Sequence, residues 1–233
     1  MKRQMSSPPL QDEKLISSFG IQRRNMLKFF GASAAVVALG TACNKDDDNP
    51  TDNSVFLGTG DFQILNFAYA LEQLEAAFYT QVVTSAGFNA MSALEKTYML
   101  DIKDHEVAHR EYFKVALGSN AIKGLTPNFS AVDFSSRGGI LAQAKAFEDT
   151  GVAAYNGAGQ YLVDVNYLLA AGKIVSVEAR HAALIRDLIS NNTFSDDLDA
   201  NALDISKPPS AIVDIANAFL TADSQISKNG LPA

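Results

Sequence analysis

The chain has 233 residues, 47% hydrophobic and 19% charged, with 19 Lys+Arg against 26 Asp+Glu and a net charge of −7. That length and apolar content exclude a disordered or fibrous polymer and support one domain with a real core plus a tail. The acidic balance argues against nucleic-acid binding, and a single Cys excludes an internal disulfide or a Cys-rich zinc site. With only three His and eight Glu in the chain, their positions carry information.

Residues 1–42 hold six basic residues (Lys2, Arg3, Lys14, Arg23, Arg24, Lys28) against Asp12 and Glu13, so the remainder is strongly acidic. Arg23-Arg24-Asn25-Met26-Leu27-Lys28 precedes a small-residue apolar run over 29–42. That run is shorter than the ~20 residues needed to cross a bilayer and has the layout of an export signal. The Arg pair followed by x-Met-Leu-Lys resembles a twin-arginine signal. The run ends in Leu39-Gly40-Thr41-Ala42-Cys43, which resembles a bacterial lipoprotein cleavage box with Cys43 as the lipidated residue. Gly40 stands where a large aliphatic residue is usual, so cleavage by an ordinary signal peptidase is the alternative. Residues 43–58 begin with an acidic, Pro-containing stretch expected to form a disordered tether. The expected location is the periplasm, or the outer membrane or cell surface through a lipid anchor on Cys43.

From Asp61 onward apolar residues recur at three- and four-residue spacing, which predicts a first helix starting near Asp61, a plausible N-cap, and closing at Ser85-Ala86-Gly87. Further helices are predicted over 92–117, 139–156 and from 161 or 166 to 189, the last with a break near Gly172. About twenty residues rich in Gly, Pro, Asn and Ser, with 128–134 extended, separate the second helix from the third. Short links within each pair and one long crossover describe an all-α four-helix bundle over 59–191. Residues 192–233 read as an extension whose short helix, over 210–220, covers apolar surface of the bundle.

The three His lie in the second and fourth predicted helices, and two have a Glu three residues earlier: Glu106-x-x-His109 and Glu178-x-x-His181. With eight Glu in 233 positions a given His has a Glu at that offset by chance about 3% of the time, so two of three is not accidental. Positions i and i+3 share a helix face, which lets carboxylate and imidazole converge. The first and third helices carry their own match: Glu72 precedes Tyr79 by seven residues and Glu148 precedes Tyr155 by seven. Each Tyr therefore lies on its Glu's stripe, and the two hairpins form an internal repeat.

A bundle that joins these stripes centres four carboxylates and two imidazoles. Buried without partners, each carboxylate would lose several kcal/mol of hydration. Two divalent cations balance the charge, and such a donor set suits iron or manganese better than structural zinc. Glu72 and Glu148 can then serve as terminal ligands and Glu106 and Glu178 as bridges, with His109 and His181 each holding one metal. Glu75, three residues after Glu72, could face the same cavity; the Tyr79 offset selects Glu72. His105 has Val177 as its counterpart in the repeat and reads as a peripheral group or one that supports a ligand from outside, not a ligand itself. Tyr79 and Tyr155 are candidates for bonding ligand carboxylates, with plain core aromatics as the alternative.

This six-residue pattern, in order and spacing, resembles the ferritin-like superfamily over about residues 60–190, including bacterioferritins, rubrerythrins and manganese catalases. It looks closest to exported bacterial ferritin-like domain proteins, some described as desiccation-associated. The resemblance implies a di-metal centre of Fe or Mn. Departures from the family matter as well. There is no rubredoxin-like Cys set, and Val107 stands where bacterioferritin has its haem-binding Met, so no haem is expected. A lipid tether fits badly with a multi-subunit storage cage, though not with a homodimer.

Three functions follow as expectations: a di-metal oxidoreductase (ferroxidase, peroxidase or catalase-like) acting on O2 or H2O2 in oxidative or desiccation stress; a non-enzymatic metal-binding stress protein; or an interaction module. Fold and ligands alone do not choose among them.

Overall fold

The computed structural model describes residues 54–233. The export signal, Cys43 and most of the acidic segment read as a tether lie outside the described residues. Six α-helices follow: α1 Asp61–Val82, the one-turn α2 Ala86–Asn89, α3 Ala93–Leu117, α4 Arg137–Ala158, α5 Val165–Ile189 and α6 Pro209–Asn217. The four long helices form the expected bundle: α1 pairs with α3, α4 pairs with α5, and α1 packs on α4. Among the described residues no helix is long and apolar enough to cross a membrane.

Local chemistry sets the helix ends. Ser92 and Glu95 form a capping box at α3, which satisfies two backbone N–H groups that no helical carbonyl can reach. The Glu95 carboxylate also pairs with Arg137 Nε at 2.6 Å, joining the start of α3 to the start of α4. Ser136 caps α4 and Asp164 caps α5 through their side-chain oxygens. Asp61 does not cap α1 as expected. Gly60, at a φ of +60°, takes the cap position, and Asp61 becomes the first helical residue. Its carboxylate instead accepts from the backbone N–H groups of Val163 and Asp164 at 2.9 and 2.7 Å, tying α1 to the link between α4 and α5.

Three other expectations are corrected. The first helix ends at Val82, and Ser85 caps the separate turn of α2. The third starts two residues before Gly139, at Arg137. The fourth runs unbroken through Gly172, since a single glycine costs a helix only about 1 kcal/mol and both flanks pack well.

α1 and α4 are the inner helices. α1 is buried nearly all round because α6 and the crossover cover the side that α3 leaves open, whereas α3 and α5 each keep an exposed face. α6 inserts Ile212, Val213 and Ala216 against Leu71, Leu74 and Ala153. The crossover is pinned by rings: Phe129 and Phe134 meet Phe78, and Phe147 meets Phe129 and Phe219. Its backbone bonds the C-terminal segment, Asn128 donating to Phe219 at 2.7 Å and Thr221 to Thr126 at 3.0 Å. At the other end of the described chain, Val55 exchanges backbone hydrogen bonds with Gln225 and Ser227, and Leu57 is in the core. The last residues of the 43–58 segment are thus part of the packed fold.

Candidate metal centre

Each long helix contributes to one point in the bundle interior: Glu72 from α1, Glu106 and His109 from α3, Glu148 from α4, Glu178 and His181 from α5. All four carboxylates have 0% exposure. His109 Nδ1 lies 2.9 Å from Glu178 Oε1, 3.4 Å from Glu72 Oε2 and 3.6 Å from Glu106 Oε2. His181 Nδ1 lies 2.9 Å from Glu106 Oε1, 3.4 Å from Glu148 Oε2 and 3.8 Å from Glu178 Oε2. Glu106 and Glu178 therefore send one oxygen toward each imidazole, while Glu72 and Glu148 each serve one side.

Two four-residue groups result, Glu72-Glu106-His109-Glu178 and Glu106-Glu148-Glu178-His181, each with donor atoms within 4.8 Å of one another. The donors aim at shared points and not at each other. Glu72 Oε2, Glu148 Oε2, both oxygens of Glu106 and of Glu178, and Nδ1 of both imidazoles are buried without a properly directed hydrogen bond. Buried polar atoms are nearly always paired, so these groups could hold a cation between them.

The remaining oxygens of the outer carboxylates are taken. Tyr79 of α1 donates its hydroxyl to Glu148 Oε1, and Tyr155 of α4 donates to Glu72 Oε1. Each tyrosine thus serves the carboxylate of the other half of the repeat, a crossing that the shared stripe does not reveal. Burial, and then the adjacent carboxylates, push both phenols well above their ordinary range, so they remain donors.

Burial and neighbouring charge shift the proton affinity of the cluster's members. Burial disfavours charge on His109 and His181, but the surrounding carboxylates prevail and lift each to about 12. Burial raises Glu72 and Glu106, and raises Glu148 to about 7. Glu178 is the exception: burial would raise it, yet the two imidazoles beside it bring it down to about 2.

Two neighbours stand just outside this set. Glu75 is buried, one helical turn beyond Glu72, and belongs to neither group of four. It is held well above its ordinary range by burial and then by Glu106, Glu178, Glu148 and Glu72. Gly151, its counterpart in the repeat, makes room for it: a Cβ there would lie 3.1 Å from Glu75 Oε1 and 3.8 Å from Glu178 Oε2. His105 sits on the exposed side of α3, with Nδ1 2.8 Å from His181 Nε2. The repeat gave no hint of this contact, because the equivalent position carries Val177.

A four-helix bundle centred on four carboxylates and two Glu-x-x-His pairs defines a class of carboxylate-bridged metal proteins. The model of the ferritin-like domain family matches residues 60–191, more than half of the chain, and the chain belongs to that family. A search of curated proteins finds no match.

Proposed function

We propose that this protein is an exported di-metal carboxylate protein that binds two iron or manganese ions and reacts with O2 or H2O2 in oxidative or desiccation stress. The observation that carries the metal reading is the set of inward-facing donor atoms, orphaned on four carboxylates and two imidazoles. When bound, the metal pair would supply reversible one-electron chemistry and positions for a small oxidant.

The chain's own groups do the rest. Glu106 and Glu178 would be shared by the two metals, Glu72 with His109 and Glu148 with His181 would complete each side, and Tyr79 and Tyr155 bond the outer carboxylates and so orient them. The same hydroxyls are the nearest hydrogen-bonding protons to those carboxylates. The four carboxylates are themselves fully buried, away from bulk water. Export rests on Arg23-Arg24 and the apolar run, and anchoring on Cys43, all in the sequence before residue 54. A twin-arginine route suits such a centre, because export of a folded chain allows metal to be loaded first.

The test is consumption of peroxide and O2 by the full chain, purified after anaerobic loading with Fe2+ or Mn2+. Metal-dependent turnover supports the oxidant reading. Two bound metals without turnover would leave a metal-binding stress protein instead. Mass spectrometry of the N-terminal peptide decides lipidation, with an acylated Cys43 as the new N-terminus expected.

A further inference from the structure

The repeat makes the two metal positions equivalent in donors, yet one exposed residue separates them. His181 points Nδ1 into the centre and Nε2 outward, 2.8 Å from His105 Nδ1. The ring planes lie within 12° of each other with centroids 5.1 Å apart. With so short an N···N contact, the rings lie end to end in one plane, as a hydrogen bond requires, and not face to face.

That contact fixes where the protons sit. An imidazole that offers Nδ1 to a metal carries its proton on Nε2, and here His105 Nδ1 accepts it. His105 then keeps its own proton on Nε2. On the His109 side the corresponding position of the repeat differs: the residue one before Glu178 is Val177, where the residue one before Glu106 is His105. Valine has no acceptor. Outer hydrogen bonds of this kind fix a ligand's tautomer and ring orientation and raise its basicity, and their removal typically costs about 10–100-fold in metal affinity.

We infer that His105 is a positioning residue for His181 that makes the metal position at His181 the tighter of the two, filled before the position at His109. This rests on the di-metal reading above.

The experiment is an anaerobic Mn2+ titration of the full chain by calorimetry, comparing wild type with His105→Val, His105→Asp and Val177→His. Wild type is expected to bind two ions in unequal steps. His105→Val should weaken the tighter step at least about tenfold and leave the weaker step in place, whereas His105→Asp, which keeps an acceptor, should restore most of the difference. Val177→His should narrow the gap from the other side, and it keeps the inference testable should His105→Val fail to fold. NMR of the chain loaded with diamagnetic Zn2+ gives a readout independent of affinity: an exchange-protected Nε2–H on His181 in wild type and His105→Asp, lost in His105→Val. Two equal steps in wild type, or a His105→Val isotherm matching wild type, would overturn the inference and leave the di-metal reading standing. A wild-type chain that binds no Mn2+ would overturn both.

Discussion

Tyr79 on α1 donates its hydroxyl to Glu148 on α4, and the repeat returns the contact through Tyr155 and Glu72. The inner helices are thereby cross-linked through carboxylates of the candidate metal centre. Glu148 Oε1 is bonded to the phenol while Oε2 faces His181. Fold and site share these side chains, so loss of a phenol should be felt in both.

Tyr79→Phe leaves Glu148 Oε1 buried without its donor. Removing one partner of a buried hydrogen bond costs about 1–3 kcal/mol. The metal-free variant should therefore melt measurably lower than wild type in calorimetry, and Tyr155→Phe should behave alike through Glu72. Equal melting temperatures would show that these hydroxyls are not bonded to the carboxylates.

Metal uptake should release protons. His109 and His181 are held up to about 12 and Glu148 to about 7 in the metal-free cluster, and ligation requires all of them deprotonated at the donor atom. Affinity should rise with pH between 5 and 8, with more than one proton released per ion, measured by calorimetry in buffers of different ionisation enthalpy. Stability of the metal-free chain should run the other way. Groups whose folded pKa is raised stabilise fully below their unfolded value and lose that contribution as pH rises toward the folded one. Glu148 thus loses its contribution between about 4.5 and 7, and the two imidazoles lose theirs from about 6.5 upward toward 12. Glu178, drawn down to about 2, acts oppositely and only in acid.

Glu75→Gln isolates the fifth carboxylate. Burial holds Glu75 well above the carboxylate range, so the folded chain keeps it protonated at a pH where the unfolded chain ionises it. Its glutamine replacement should stabilise the metal-free chain at pH 7, with the gain shrinking toward pH 4. Melting curves across that range check the sign. Because Glu75 belongs to neither donor group, both metals should still bind.

The inward-facing cluster was legible because Glu-x-x-His and Glu-x6-Tyr are distances along one helix, and a helix face follows from sequence spacing alone. What lies across the bundle does not. The stripe of Tyr79 showed which way it points, but not that its partner would be Glu148 and not Glu72. For His105 the sequence left a supporting role beside a peripheral one, and only the approach of α5 to α3 names its partner as His181. The role of Asp61 depended on Gly60 adopting a positive φ, which frees the carboxylate for another segment's backbone. The one-turn α2 was invisible because four residues are too few for periodicity to register. The continuity of α5 through Gly172 reflects packing on both sides of a weak helix former.

The most direct test is metal stoichiometry in a bridge variant. Glu106 and Glu178 belong to both donor groups, so the full chain loaded anaerobically with Fe2+ or Mn2+ should carry two ions, and Glu178→Ala should lose both while circular dichroism still reports a helical fold. A wild-type chain that carries no metal, or a Glu178→Ala chain that keeps either ion as tightly as wild type, would contradict the bridged centre.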